Sequence, residues 1–185
     1  MPTDKCRAFF FDRDGTLMED AHYCGDPALV KVFPGVPEAL RRLKDAGFAV
    51  VIISNQSGIG RGLITQAQHR AVHEEFLRQA GRDSIDASCY CLDPPGIGSN
   101  CRKPEPCMVL AAAATLHIHL AASYFVGDKS ADIECGRRAG TRTVLVLTGY
   151  GREQNCAADF TCRDAVEAVE RILAAGIWFD CKPAR

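Results

Sequence analysis

Residues 7–16 read Arg-Ala-Phe-Phe-Phe-Asp-Arg-Asp-Gly-Thr. The short apolar run with three aromatics suits a buried strand. The run then stops at two carboxylates, Asp12 and Asp14, and Gly15 lets the chain turn sharply. An ionised carboxylate can attack phosphorus and form an aspartyl phosphate. A second carboxyl nearby can protonate the leaving oxygen, then deprotonate the attacking water. Taken alone, the pattern fits a strand-ending turn with a surface acid pair equally well.

Outward from this strand, the chain alternates strand and helix. Residues 36–46 predict a helix, with Val36, Leu40 and Leu43 on one face and Gly47 as its stop. Residues 48–53 form a continuous apolar, β-rich run. Residues 65–80 predict a second helix, opened by a capping box of Thr65 and Gln68. A third strand is expected at 85–91, followed by a Pro/Gly/Ser-rich loop over 92–100. Helices are expected at 106–117, 130–139 and 163–175, and strands at 124–126 and 143–147. Repeated β-α units predict an α/β fold, a mainly parallel sheet with helices on both faces. Ligands of such sheets bind at the carboxyl ends of the strands.

Three further strand ends carry polar groups. Ser54-Asn55-Gln56-Ser57-Gly58 offers hydroxyls and backbone N–H groups to phosphate oxygens. Arg102-Lys103 offers a cation for a transferring phosphoryl group and a planar fork for a second anion. Gly127-Asp128-Lys129-Ser130-Ala131-Asp132 places Asp128 to bind a metal with Asp12. Magnesium suits such hard oxygens. Each signal alone fits a polar turn. Four of them, each after a strand, would meet at one sheet edge, which is what phosphoryl transfer needs.

Composition narrows the field. The chain has 185 residues, 47% of them hydrophobic, and a net charge of −1. That predicts one domain over 1–185. With no basic stripe, no nucleic-acid or membrane partner is expected. The polar start and short apolar runs predict a cytoplasmic chain. Ten cysteines without a secretion signal read as free thiols or a metal site. His69 and His73 read as a surface pair, and Trp178 and Phe179 as residues that dock the tail.

The motifs FFFDRDGT, IISNQSG, CRKP and FVGDKSAD resemble the haloacid dehalogenase (HAD) superfamily of phosphatases across nearly all of residues 7–150. SNQSGIGRG and the cysteine-bearing loop before CRKP resemble the branch acting on heptose bisphosphate and histidinol phosphate. The resemblance implies a Rossmann-like HAD fold without a large cap domain, and a small phosphorylated sugar or metabolite as substrate. Asp12 would be the nucleophile, Asp14 the general acid/base, and Ser54 and Lys103 the phosphoryl stabilisers. Asp12, the Asp14 backbone and Asp128 would bind Mg2+. Substrate contacts would come from Asp20, Ala21, His22, Tyr23, Asn55, Gln56, Ser57, Arg61, Arg102 and Lys129. With no cap and no interface stripe, a monomer is expected.

Two departures matter. The branch carries a structural zinc loop with four Cys or His ligands. Here Cys89, Cys91 and Cys101 are the candidate Zn2+ ligands, Ser99 stands where a cysteine is expected, and a metal-free loop is the alternative. Met18 stands where relatives are polar, which is expected to alter the surroundings of the phosphate.

Overall fold

The computed structural model describes residues 6–176. Its strands are β1 (Arg7–Phe11), β2 (Phe48–Asn55), β3 (Ala87–Cys91), β4 (Tyr124–Gly127), β5 (Arg142–Val146) and β6 (Phe160–Cys162). They form one sheet in the order β3-β2-β1-β4-β5-β6. Every pairing is parallel. The helices are α1 (Val36–Asp45), α2 (Ser57–Gly60), α3 (Gln66–Ala80), α4 (Cys107–Thr115), α5 (Ser130–Ala139) and α6 (Ala165–Ala174).

β1 lies at the centre, and its side chains alternate between two cores, as a pleated strand must. Phe9 and Phe11 join the cluster that includes Leu40 and Leu43 of α1, Val72 and Phe76 of α3, and Val169 and Ile172 of α6. Ala8 and Phe10 join the other, with Met108 and Val109 of α4 and Cys135 and Ala139 of α5. Phe9 stacks on Tyr124 with ring centroids 5.0 Å apart and meets Phe48 edge-on at 5.1 Å. Both faces are therefore covered, and the strands read as near-continuous apolar runs.

The Thr65–Gln68 capping box forms as expected, with Gln68 N–H donating to Thr65 Oγ1 at 3.2 Å. No helix among the described residues is long and apolar enough to cross a membrane. Three expectations need correction. β3 starts at Ala87, not 85, because residues 82–84 form a 3-10 turn. His69 is buried, and it meets Tyr90 edge-on at 4.6 Å. Met18 is fully buried in the first core and lines no cleft, while its carbonyl accepts from Gly15 N–H at 2.8 Å. Trp178 and Phe179 lie outside the described residues.

Candidate active site

The loops after β1, β2 and β4, with the segment that follows β3, meet above the carboxyl edge of the sheet. They enclose a cleft of about 370 Å³. Asp12 begins its floor, one residue past β1, where its N–H still bonds Val126 O of β4 at 3.0 Å. Its carboxylate Oδ1 accepts from Lys103 Nζ at 2.6 Å. The same ammonium donates to Ile53 O at 2.7 Å and pairs with Asp132 Oδ1 at 2.7 Å. Asn55 fixes this lysine's backbone, accepting from Lys103 N–H at 3.0 Å and donating to its carbonyl at 3.2 Å.

Burial pushes Asp12 up to about 7, against the pull of Lys103. Burial also acts to lower Lys103, but Asp12 and Asp132 outweigh it and hold the ammonium above its ordinary value. Lys103, at 2.6 Å, works against that rise and toward the ionised form that nucleophilic attack needs.

Asp14 lies in the cleft wall. Gln56 Nε2 donates to its Oδ2 at 2.7 Å and to Ser54 Oγ at 2.9 Å. Burial acts to raise Asp14, yet the Arg13 guanidinium beside it holds it below the usual carboxylate range. Asp128 is fully buried. Its Oδ2 accepts from Tyr150 N–H at 2.9 Å, and its Oδ1 has no hydrogen-bond partner among the described residues.

Carboxylate oxygens of Asp12, Asp128 and Asp132 lie within 4.8 Å of one another. Asp132 is already committed, to Lys103 and, through Oδ2, to Lys129 N–H at 3.0 Å. That leaves Asp12 and the orphaned oxygen of Asp128 as hard donors that fit a magnesium ion.

The mouth is cationic and aromatic. Lys129 Nζ sits 3.4 Å from Asp20 Oδ2 and 4.8 Å from the centre of the Tyr150 ring. His22 and Tyr23 both take left-handed backbone angles, and His22 N–H bonds Asp20 Oδ1 at 3.0 Å. Arg102 reaches the cleft while its Nη1 holds Asp93 O at 3.2 Å.

Of the sequence candidates, Asp12, Asp14, Asp20, His22, Tyr23, Ser54, Asn55, Gln56, Ser57, Arg102, Lys103 and Lys129 line the cleft. Ala21, Arg61 and the fully buried Asp128 do not. Ala21 packs against the first core, and Arg61 lies over the Tyr23 ring at 5.7 Å. Tyr150 was not anticipated, because it lies in a turn beyond β5 with no motif around it.

The cysteine loop differs from expectation. Cys91, Asp93 and Cys101 present donor atoms within 4.8 Å of one another, and Cys89 is not among them. Cys89 lies two residues earlier on β3, some 6–7 Å along the strand, and packs on the second core. Cys91 and Cys101 form a disulfide. Ser99 Oγ donates to Asp93 Oδ2 at 2.6 Å and accepts from the N–H groups of Cys101 and Arg102, each at 3.2 Å. With the disulfide reduced, Cys91, Asp93 and Cys101 would offer three of the four ligands that a structural zinc takes.

A buried carboxylate–lysine pair, a second carboxyl and a metal-compatible aspartate, all at the carboxyl edge of one parallel sheet, define a phosphatase. Residues 100–171 match the HAD-hydrolase-like family model. A D-glycero-beta-D-manno-heptose-1,7-bisphosphate 7-phosphatase from Escherichia coli K12 is 43% identical over 178 residues, covering 89% of this chain and 93% of that protein. A D-glycero-D-manno-heptose-1,7-bisphosphate 7-phosphatase from Chlorobaculum tepidum is 35% identical over 169 residues, covering 83% and 84%. The crystal structure of D,D-heptose 1,7-bisphosphate phosphatase from B. bronchiseptica, complexed with magnesium and phosphate, superposes with a TM-score of 0.84. It is 31% identical and covers 91% of this chain and 99% of that one. The chain belongs to the HAD superfamily of hydrolases.

Proposed function

We propose that this protein is a D-glycero-D-manno-heptose 1,7-bisphosphate 7-phosphatase, cytoplasmic and monomeric, that works through an aspartyl phosphate. The observation that carries the reading is the buried Asp12–Lys103 pair at 2.6 Å, with Asp14 beside it in a cleft whose mouth holds Arg102 and Lys129.

Asp12 attacks the 7-phosphorus in line with the leaving oxygen. Asp14 gives that oxygen its proton, then takes one from the water that hydrolyses the acyl phosphate. Lys103 and the Ser54 hydroxyl neutralise and orient the phosphoryl oxygens. Because Lys103 is held by Asp12, Asp132 and Ile53 O, this cation is placed before substrate arrives. Asp12, Asp128 and the Asp14 main chain would hold Mg2+, which supplies charge neutralisation between two anions. Asp20, His22, Tyr23, Asn55, Gln56, Ser57 and Lys129 line the space for the sugar. Arg102 supplies a fork for the second phosphate.

The test is phosphate release with magnesium from a panel of sugar bisphosphates, histidinol phosphate and nucleotides, for wild type and Asp12→Asn. Selective turnover of the heptose bisphosphate, reduced at least about 10³-fold in the variant, is expected. Preference for histidinol phosphate would replace the substrate assignment. Turnover that survives Asp12→Asn would overturn the mechanism.

A further inference from the structure

The reaction above leaves Arg13 without a task. Its side chain is 1% exposed and is not part of the cleft lining, so it cannot touch the substrate. A buried guanidinium is costly unless it is paired. Its ion pair among the described residues is with Asp14: Nε lies 3.2 Å from Oδ2, and Nη2 lies 3.1 and 3.0 Å from Oδ1 and Oδ2. Nη1 is buried with no hydrogen-bond partner.

The groups packed around it from α3 and β3 offer no negative charge. Tyr90 presents its ring face 5.9 Å away, and its hydroxyl is engaged with His73 Nδ1 at 2.7 Å. His69 and His73 are held toward their neutral forms, first by burial and then by Arg13 itself. The second hold on Asp14 is Gln56 Nε2 at 2.7 Å, from the β2 side. The carboxyl is thus clamped between a fork behind it and an amide beside it, with its remaining face open to the cleft.

We propose that Arg13 is a positioning residue. Its planar fork fixes the rotamer of Asp14, so that the carboxyl sits where the leaving oxygen needs a proton. The inference rests on the reading of Asp14 as general acid/base. In the step concerned, the bond from the Asp12 oxygen to phosphorus forms as the ester P–O bond breaks, and the departing oxygen takes the proton that Asp14 carries. Because Arg13 itself disfavours that protonation, the fork helps through position and not through acidity, and a loss of release without it reports position. Proton transfer needs a heavy-atom approach of about 2.6–3.2 Å. A displacement of about 1 Å can cost about 10²-fold. A lysine at this position keeps the charge but cannot fork.

The test compares Arg13→Lys, Arg13→Met, Asp14→Asn and wild type in single-turnover release of the leaving group, on two substrates. One is the sugar bisphosphate, whose alkoxide must be protonated to leave. The other is p-nitrophenyl phosphate, whose phenolate leaves without a proton. For both Arg13 variants, release from the sugar ester is expected to fall about 10- to 100-fold. Release from the aryl ester and KM for both should stay within about 3-fold. Equal losses on both substrates, or no loss on either, overturn the proposal. So does failure of both variants to fold, which would make the pair purely structural. If Asp14→Asn shows the split and the Arg13 variants do not, the inference alone fails. If Asp14→Asn shows no split, the acid/base reading fails and takes the inference with it.

Discussion

At the scale of single residues, His69 departs most from what its sequence neighbours suggest. It sits four positions before His73 on a helix that begins with polar residues, and that pattern reads as solvated. The structure turns both rings toward Tyr90, under the loop that carries Arg13. Burial, then the nearby Arg13 charge, lowers His69 to about 4. Its ordinary value is 6.5. A histidine lowered on folding binds its proton more readily when unfolded, so it favours the native state above pH 6.5 and loses that advantage as pH falls toward 4. The full loss is about 3 kcal/mol. Chemical denaturation of wild type and His69→Gln at pH 7 and pH 4.5 checks this. The fall in stability between the two values should be smaller in the variant by about 2 kcal/mol. An identical fall would mean that the ring is charged or solvated in the folded state.

At the scale of elements, most of the sheet was legible because its strands are buried on both faces and read as unbroken apolar runs. Arg7–Phe11 and Phe48–Asn55 are the clearest cases. The short edge strand Phe160–Cys162 was not legible, since three residues with one exposed side chain carry no periodicity. The catalytic aspartates and Lys103 were legible because each directly follows an apolar run or a short motif. The cysteine loop was legible only in part. The family's pattern picked out Cys89, Cys91 and Cys101; Cys91 and Cys101 converge, with Asp93 and Ser99, and Cys89 does not. Only the fold shows that a hydroxyl does the organising, holding Asp93 and the backbone of Cys101 and Arg102 together. Arg102 leaves this loop to enter the cleft. Ser99→Ala should therefore blur the position of Arg102 without touching Asp12 or Lys103. KM for a bisphosphate is expected to rise about 3- to 10-fold with kcat nearly unchanged, because one oriented contact made equally in ground and transition states is worth about 1 kcal/mol. Steady-state kinetics on a bisphosphate and its monophosphate counterpart decide it. A comparable rise for the monophosphate would place the effect elsewhere than at the second phosphate.

At the scale of the whole molecule, the site exists only because loops far apart in sequence close on one another where glycines leave room. The turn after β5 reaches back to the turn after β1 at Gly149 and Gly15, with Asp128 from the end of β4 between them. A Cβ on Gly149 would lie 2.2 Å from Asp128 Oδ2 and 2.8 Å from Gly15 Cα. Gly149 also has a φ of +50°, which disfavours any side chain. Gly15 is constrained in the same way, with φ +86° and a Cβ position 2.4 Å from Asp128 Oδ2. None of this is visible in sequence, where Gly149 is one of sixteen glycines and follows no motif. Gly149→Ala must push the β5 turn, Asp128 or the β1 turn out of place by the better part of an ångström. The sheet below, paired through five parallel ladders, has no reason to respond. The expected result is a loss of about 10²-fold in kcat with a stability cost of only about 1–3 kcal/mol. The magnesium concentration for half-maximal activity should rise as well, since Asp128 is the residue displaced. Activity titrated against magnesium, alongside thermal unfolding, separates the possibilities. A kcat loss with the magnesium requirement unchanged would mean that the strain is taken up by the β1 turn at Asp12 rather than by Asp128.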